Sequence, residues 1–97
     1  MILEAAVILI KDGTREPFEA AYVQASSVIA SAAGYISHQL QRSVDTPNRY
    51  LLLVQWRTRA DHMVGFRESS LFTQWRALLG PYFEVAPAVD HLESVTA

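Results

Sequence analysis

Trp56, His62 and Arg76 are the side chains whose types and positions best suit proton and oxyanion chemistry. His62 falls near the start of a short helix, where the helix dipole disfavours the imidazolium and leaves a neutral ring able to take a proton. Arg76 carries a guanidinium that can stabilise a developing phenolate or enolate. Arg67, at a helix junction, is a second candidate for that role, or else a partner in a salt bridge of the helix-cap region. A buried indole such as that of Trp56 needs a partner for its N–H, which a substrate oxygen can supply. Each has a plainer reading: core packing for Trp56, an exposed helix-start imidazole for His62, and a surface guanidinium over Trp75 for Arg76. No metal site is expected, because His38, His62 and His91 are not spaced as HxH or HxxxH pairs. The absence of cysteine excludes disulfides, thiolate ligands and a thiol nucleophile.

The elements that must position these groups lie mainly between Asn48 and Phe83, a stretch holding both tryptophans and five of the eight Lys and Arg residues. Tyr50 to Trp56 reads as a buried strand, with Tyr50, Leu52, Val54 and Trp56 on one face. Thr58, with Asp61 three residues on, resembles a capping box opening one helix. Ser69 or Ser70 opens a second, which Gly80-Pro81 stops. In an α-helix the His62 side chain leans toward the helix N-terminus, hence toward the Trp56 end of the strand, with Phe66 walling the space between. A pocket-lining imidazole of this kind anchors little core, so its loss is expected to change stability little. Tyr50, Leu52, Phe66, Arg67, Trp75 and Tyr22 are the expected pocket lining.

Upstream, Ile2 to Ile10 is apolar on both faces apart from Glu4 and reads as a central strand. After the Lys11-Asp12-Gly13 turn, a helix is expected from Thr14 to Ala33, with Pro17 in its first turn and Gly34 as its left-handed stop. Tyr35 to Ser43 alternates, placing Ile36, His38 and Leu40 on one face of a half-buried strand. Val44 to Arg49 reads as a hairpin loop, and Phe83 to Val95 as an edge strand containing Pro87. Strand, helix, two strands, split helix, strand predicts an α+β, ferredoxin-like βαββαβ fold: a four-stranded antiparallel sheet with helices on one face.

At 97 residues this is one domain, 1–97, yet 51% of it is hydrophobic. Apolar residues on the uncovered sheet face call for a lid, and a second copy of the chain is the simplest one. A net charge of −2 gives no footprint for nucleic acid or an acidic membrane. No apolar run is long enough to span a bilayer, and the start has neither a basic segment nor a cleavage site, so a cytoplasmic location is expected.

Gln55-Trp56, the Thr58-Arg59-Ala60-Asp61-His62 helix start, the Phe66-Arg67-Glu68-Ser69-Ser70 junction and the closing Pro87-Ala88-Val89 resemble the antibiotic biosynthesis monooxygenase family. Gly34-Tyr35 and Pro47 fit as well, and the resemblance covers nearly the whole chain. It implies a dimeric α+β barrel with a pocket between sheet and helices in each subunit. The haem-degrading branch of the superfamily has an Asn on strand one, a Trp where this chain has Phe66, and an iron-binding His where it has Arg76. Haem degradation is therefore not expected. The cofactor-free branch has a Trp and an Arg at the positions of Trp56 and Arg76, but an Asn at Leu52 and a Tyr at His62. The resemblance thus implies a cofactor-independent monooxygenase of a small aromatic or phenolic, polyketide-like substrate. The alternative is a non-catalytic dimeric module binding a small hydrophobic ligand.

Overall fold

In the computed structural model, residues 1–96 are described. Four strands, β1 (Ile2–Leu9), β2 (Tyr35–Arg42), β3 (Arg49–Trp56) and β4 (Ala88–Leu92), form one antiparallel sheet in the order β2-β3-β1-β4. Helices α1 (Arg15–Ala30) and α2 (Ser70–Leu79) cover one face. A π-helical segment, Asp61–Phe66, and a 3₁₀ turn, Gly80–Tyr82, flank α2. This is the ferredoxin-like α+β arrangement expected from the element order.

The covered face of β1 and β3 carries Glu4, Ala6, Ile8, Tyr50, Leu52, Val54 and Trp56, all buried. Against them α1 lays Phe18, Tyr22, Ala25 and Ile29, a stripe at helical spacing, and α2 contributes Trp75 and Leu79. On the opposite face, Leu3, Ala5 and Val7 are half-buried and Leu9 and Leu51 exposed, with no element packed over them among the described residues. With Leu53 beside them, these side chains form one contiguous apolar face rather than scattered surface leucines.

Local rules explain most boundaries. Gly13 at φ 76 and Gly34 at φ 83 provide the left-handed positions that start and end the α1 hairpin. Gly34 is also needed for space, since a Cβ there collides with the Asp61 side chain. Ser69 caps α2 by accepting from the Leu71 N–H at 3.2 Å, and Arg76 sits in its last turn, where the dipole favours a cation. Thr58 accepts from the Asp61 N–H at 3.1 Å, while the Asp61 carboxylate turns to Arg57 at 3.2 Å.

Three expectations need correction. The α1 helix ends at Ala30, three residues early, where Ser31 folds its hydroxyl back onto the Val28 carbonyl. In β2 a bulge between Tyr35 and Ser37 turns Ile36 outward, 46% exposed, and brings Tyr35 in against Trp56. The last strand does not run continuously from Phe83 to Val95. Phe83 makes one bridge to Ile10, the chain then leaves the sheet, and pairing resumes only at Ala88, after Pro87, which has no N–H to give. As expected of a proline-bearing strand, β4 lies at the sheet edge.

Candidate functional site

The interruption before β4 helps to make a cavity. Glu84, Val85, Ala86 and Pro87 form one wall of a space of about 560 Å³ between the sheet and α2. Its floor is Glu4, Ala6, Ile8 and Leu52, and its aromatic side is Phe66, Phe72 and Trp75. Arg67 and Arg76 lie over the Phe72 ring, with their Cζ atoms 5.1 and 5.9 Å from its centroid.

At one end of this space is a chain of buried polar groups that begins on the sheet floor. Even-numbered β1 residues face the helices, so Glu4 points into the core, only 4% exposed. Its Oε1 accepts a hydrogen bond from the Trp56 Nε1–H at 2.9 Å. His62 Nε2 stands 3.3 Å from the same oxygen. The other ring nitrogen of His62, Nδ1, is hydrogen-bonded to His91 Nε2 at 2.9 Å. His91 is the direct cross-strand partner of Glu4, which explains how β4 delivers a second imidazole here.

His62 reaches this position from the π-helical segment, whose Arg67 N–H donates to the His62 carbonyl at 2.9 Å. Widened turns of this type recur at functional sites. The His62 ring stacks on Trp56 at 5.2 Å with 23° between planes, and on Phe66 at 6.2 Å and 24°. Burial pushes its pKa down to about 4, with His91, Arg67 and Arg59 adding repulsion, so the ring is neutral at pH 7. Burial pushes the Glu4 carboxyl up, against the opposing effects of the Trp56 N–H and the Arg67 charge. Both shifts have one cause: the enclosed site favours neutral forms. His91, less enclosed, is also lowered, first by desolvation and then by Arg59, with Asp90 opposing.

The sequence candidates divide into three groups. His62, Arg76, Leu52, Phe66, Arg67 and Trp75 all border the cavity. Trp56 does not: it is fully buried behind His62 and its N–H is committed to Glu4 rather than open to a ligand oxygen. Tyr50 and Tyr22 face a separate, more open hollow between α1 and β2, where Tyr50 donates to Glu19 at 2.6 Å. Tyr22 still backs the cavity wall, edge-on to Trp75 at 6.2 Å. Arg76 stacks over Phe72, not over the adjacent Trp75.

Sequence reasoning assigned Glu4 no role in the site and considered His91 only as a metal ligand. Glu4 carried a signal, as the one charged residue in an otherwise apolar strand. The His62–His91 contact was also missed, although the strand order places β4 beside β1. No group of three His, Cys, Asp or Glu side chains among the described residues is placed to hold a metal ion. Glu4 and His91 meet opposite nitrogens of His62, so the three form a line rather than a converging ligand set.

The sequence profile described as antibiotic biosynthesis monooxygenase matches residues 1–78. YczJ of Bacillus subtilis, an uncharacterized protein, is 42% identical over 95 residues, covering 98% of this chain and 100% of its own. A solved structure of a candidate antibiotic biosynthesis monooxygenase from Bordetella bronchiseptica is 41% identical with a TM-score of 0.95, covering 98% of this chain and 97% of that one. SnoaB, a cofactor-independent oxygenase from Streptomyces nogalater, shares the fold with a TM-score of 0.81 at 14% identity, covering 99% of this chain and 94% of its own. The chain belongs to the antibiotic biosynthesis monooxygenase family.

Proposed function

We propose that this protein is a cofactor-independent monooxygenase that acts on a small aromatic or phenolic substrate held in the cavity between the sheet and α2. The observation that carries this reading is the Glu4–His62–His91 chain, with Glu4 and His62 buried, opening onto an aromatic-walled space with two guanidiniums at its side. A volume of about 560 Å³ suits a substrate of several fused rings. The distant structural neighbour SnoaB, itself a cofactor-independent oxygenase, supports the same chemistry.

In this reaction the acid-base group removes a proton from an activated C–H or phenolic O–H. The electron pair left behind is stabilised by Arg67 and Arg76. The resulting carbanion reduces dioxygen directly: a methylene becomes a carbonyl bearing one oxygen atom, and the other oxygen leaves as water. A second copy of the chain would close the open sheet face through Leu3, Val7, Leu51 and Leu53.

The test is oxygen consumption with a panel of anthrones and hydroquinones. Saturable uptake accompanied by quinone formation supports the assignment. Saturable binding with no uptake above the protein-free rate instead identifies a module that only binds a hydrophobic ligand.

A further inference from the structure

We propose that Glu4, rather than His62, takes the proton from the bound substrate, and that Trp56, His62 and His91 are its positioning residues. This deepens the oxygenase reading and rests on it for the substrate class.

The geometry of the imidazole is the first reason. His62 Nδ1 is hydrogen-bonded to His91 at 2.9 Å. With His91 as the donor, the one lone pair of the neutral ring is taken and Nε2 carries the proton, 3.3 Å from Glu4 Oε1, so no lone pair is free for a ligand. Glu4 is the reverse case. Its two neighbours, Trp56 Nε1 and His62 Nε2, both approach Oε1. Oε2 has no hydrogen-bond partner among the described residues, yet it is not a sealed unpartnered atom; only the Tyr22 hydroxyl is. With Glu4 on the cavity floor, Oε2 is the atom that meets a ligand.

The second reason is the cost of the arrangement. An ionisable carboxyl on the helix-covered face of a central strand is unfavourable unless paired, and an apolar residue would fill the position without that penalty. Here the pairing covers one oxygen only. If His91 donates its Nε2–H to His62 Nδ1, the His62 proton is fixed on Nε2, where it faces Glu4 Oε1. A separation of 3.3 Å is of the kind that tightens once substrate is bound.

The charged and titratable groups around Glu4 come from every neighbouring element. The π-helical segment and its flanks supply His62, Arg67 and Arg59, and β4 supplies His91 and Asp90. Arg76 of α2 and Glu84 line the same cavity, and Tyr22 of α1 feels the Glu4 charge. Burial outweighs the nearby Arg67 and raises the carboxyl, which makes its ionised form a stronger base.

The step is balanced within the chain. Ionised Oε2 takes the substrate proton, and the C–H or O–H bonding pair stays on the substrate. The carbanion adds to dioxygen as a peroxide, and Glu4, now neutral, returns its proton to the outer peroxide oxygen. The second hydrogen then leaves the same carbon as a proton, and its bonding pair forms the C=O bond as the O–O bond breaks. That proton joins the departing hydroxide as water.

The Trp56 N–H reports the ionisation of Glu4 without any turnover, because it donates directly to that carboxylate. In ¹H–¹⁵N spectra the Trp56 indole peak should move with pH through a midpoint above the usual carboxylate range. The Glu4 side-chain carboxyl carbon should follow the same midpoint, and Trp75 should not. Glu4→Gln should abolish the Trp56 movement, and His91→Leu should displace its midpoint. Anaerobic mixing with an anthrone should give the absorption of its anion, rising with pH through the Glu4 midpoint and reduced about 100-fold in rate or more in Glu4→Gln. Should Glu4→Gln fail to fold, the agreement in the wild type between the Trp56 midpoint and the pH midpoint of anion formation decides the matter.

A Trp56 peak that ignores pH overturns the proposal. So does anion formation at full rate in Glu4→Gln, or a midpoint that differs from that of the Glu4 carbon. Absence of oxygen uptake with normal anion formation and a titrating Trp56 peak defeats the oxygenase reading and leaves the role of Glu4 intact.

Discussion

Replacing His62 with alanine should destabilise the protein substantially, contrary to what its place at a helix start suggests. The imidazole is 4% exposed and sandwiched by Trp56 at 5.2 Å and Phe66 at 6.2 Å. Truncating an enclosed ring of larger size costs about 3–5 kcal/mol, and a buried polar partner left unsatisfied costs about 1–3 kcal/mol. Two features reduce the total here. Imidazole is smaller than a phenyl ring, and the space left merges with a cavity that water can enter, while Glu4 keeps its Trp56 bond. The expected loss is therefore about 2–3 kcal/mol, equivalent to roughly 10–20 °C in Tm for a chain of this size. Urea unfolding at pH 7 and one fixed protein concentration measures it, with an unchanged slope confirming comparable end states. A loss under about 0.5 kcal/mol, the range of ordinary surface substitutions, would refute the packing described for this ring.

The same ring governs a pH effect: unfolded His62 takes a proton near pH 6.5 and the folded one only near 4, so the unfolded state binds more protons in between. Stability should fall as pH drops through that window. Glu4, whose folded pKa is raised, acts in the opposite direction, so the diagnostic is that His62→Gln shows a shallower acid-side loss than the wild type. Gly34→Ala should cost about 2–4 kcal/mol in denaturant unfolding, since it combines a φ of 83 with a collision against Asp61. A cost below about 1 kcal/mol means that the turn relaxes freely. Light scattering should give a dimer at micromolar concentration that Leu53→Glu, on the open sheet face, dissociates; a monomeric wild type contradicts that use of the face.

The fold was legible because period and punctuation agreed. The apolar runs at Ile2–Ile10 and Tyr50–Trp56, the alanine-rich stripe of α1 and the Gly34 and Gly80-Pro81 stops each pointed to one topology. Part of the site was legible for the same reason: strand and helix periodicity put Leu52, Phe66 and Trp75 on inward faces. What escaped was set by long-range register. Nothing near Glu4 in sequence says that Trp56 and His91 will meet it, because those contacts depend on strand pairing across the sheet. Tyr22 by helical period and Tyr50 by strand parity point inward yet serve another hollow, since a period fixes a face and not a position along it. The β2 bulge and the gap before β4 are breaks of regularity that periodic reading cannot locate.

Cofactor-free oxygenation is decided by turnover under ¹⁸O₂ with the purified protein and an anthrone as the only other components. A quinone carrying one labelled oxygen per turnover is expected, the second label appearing in water, at a rate unchanged by a metal chelator. Product without label, or activity that appears only when a flavin, haem or metal ion is added, would contradict it.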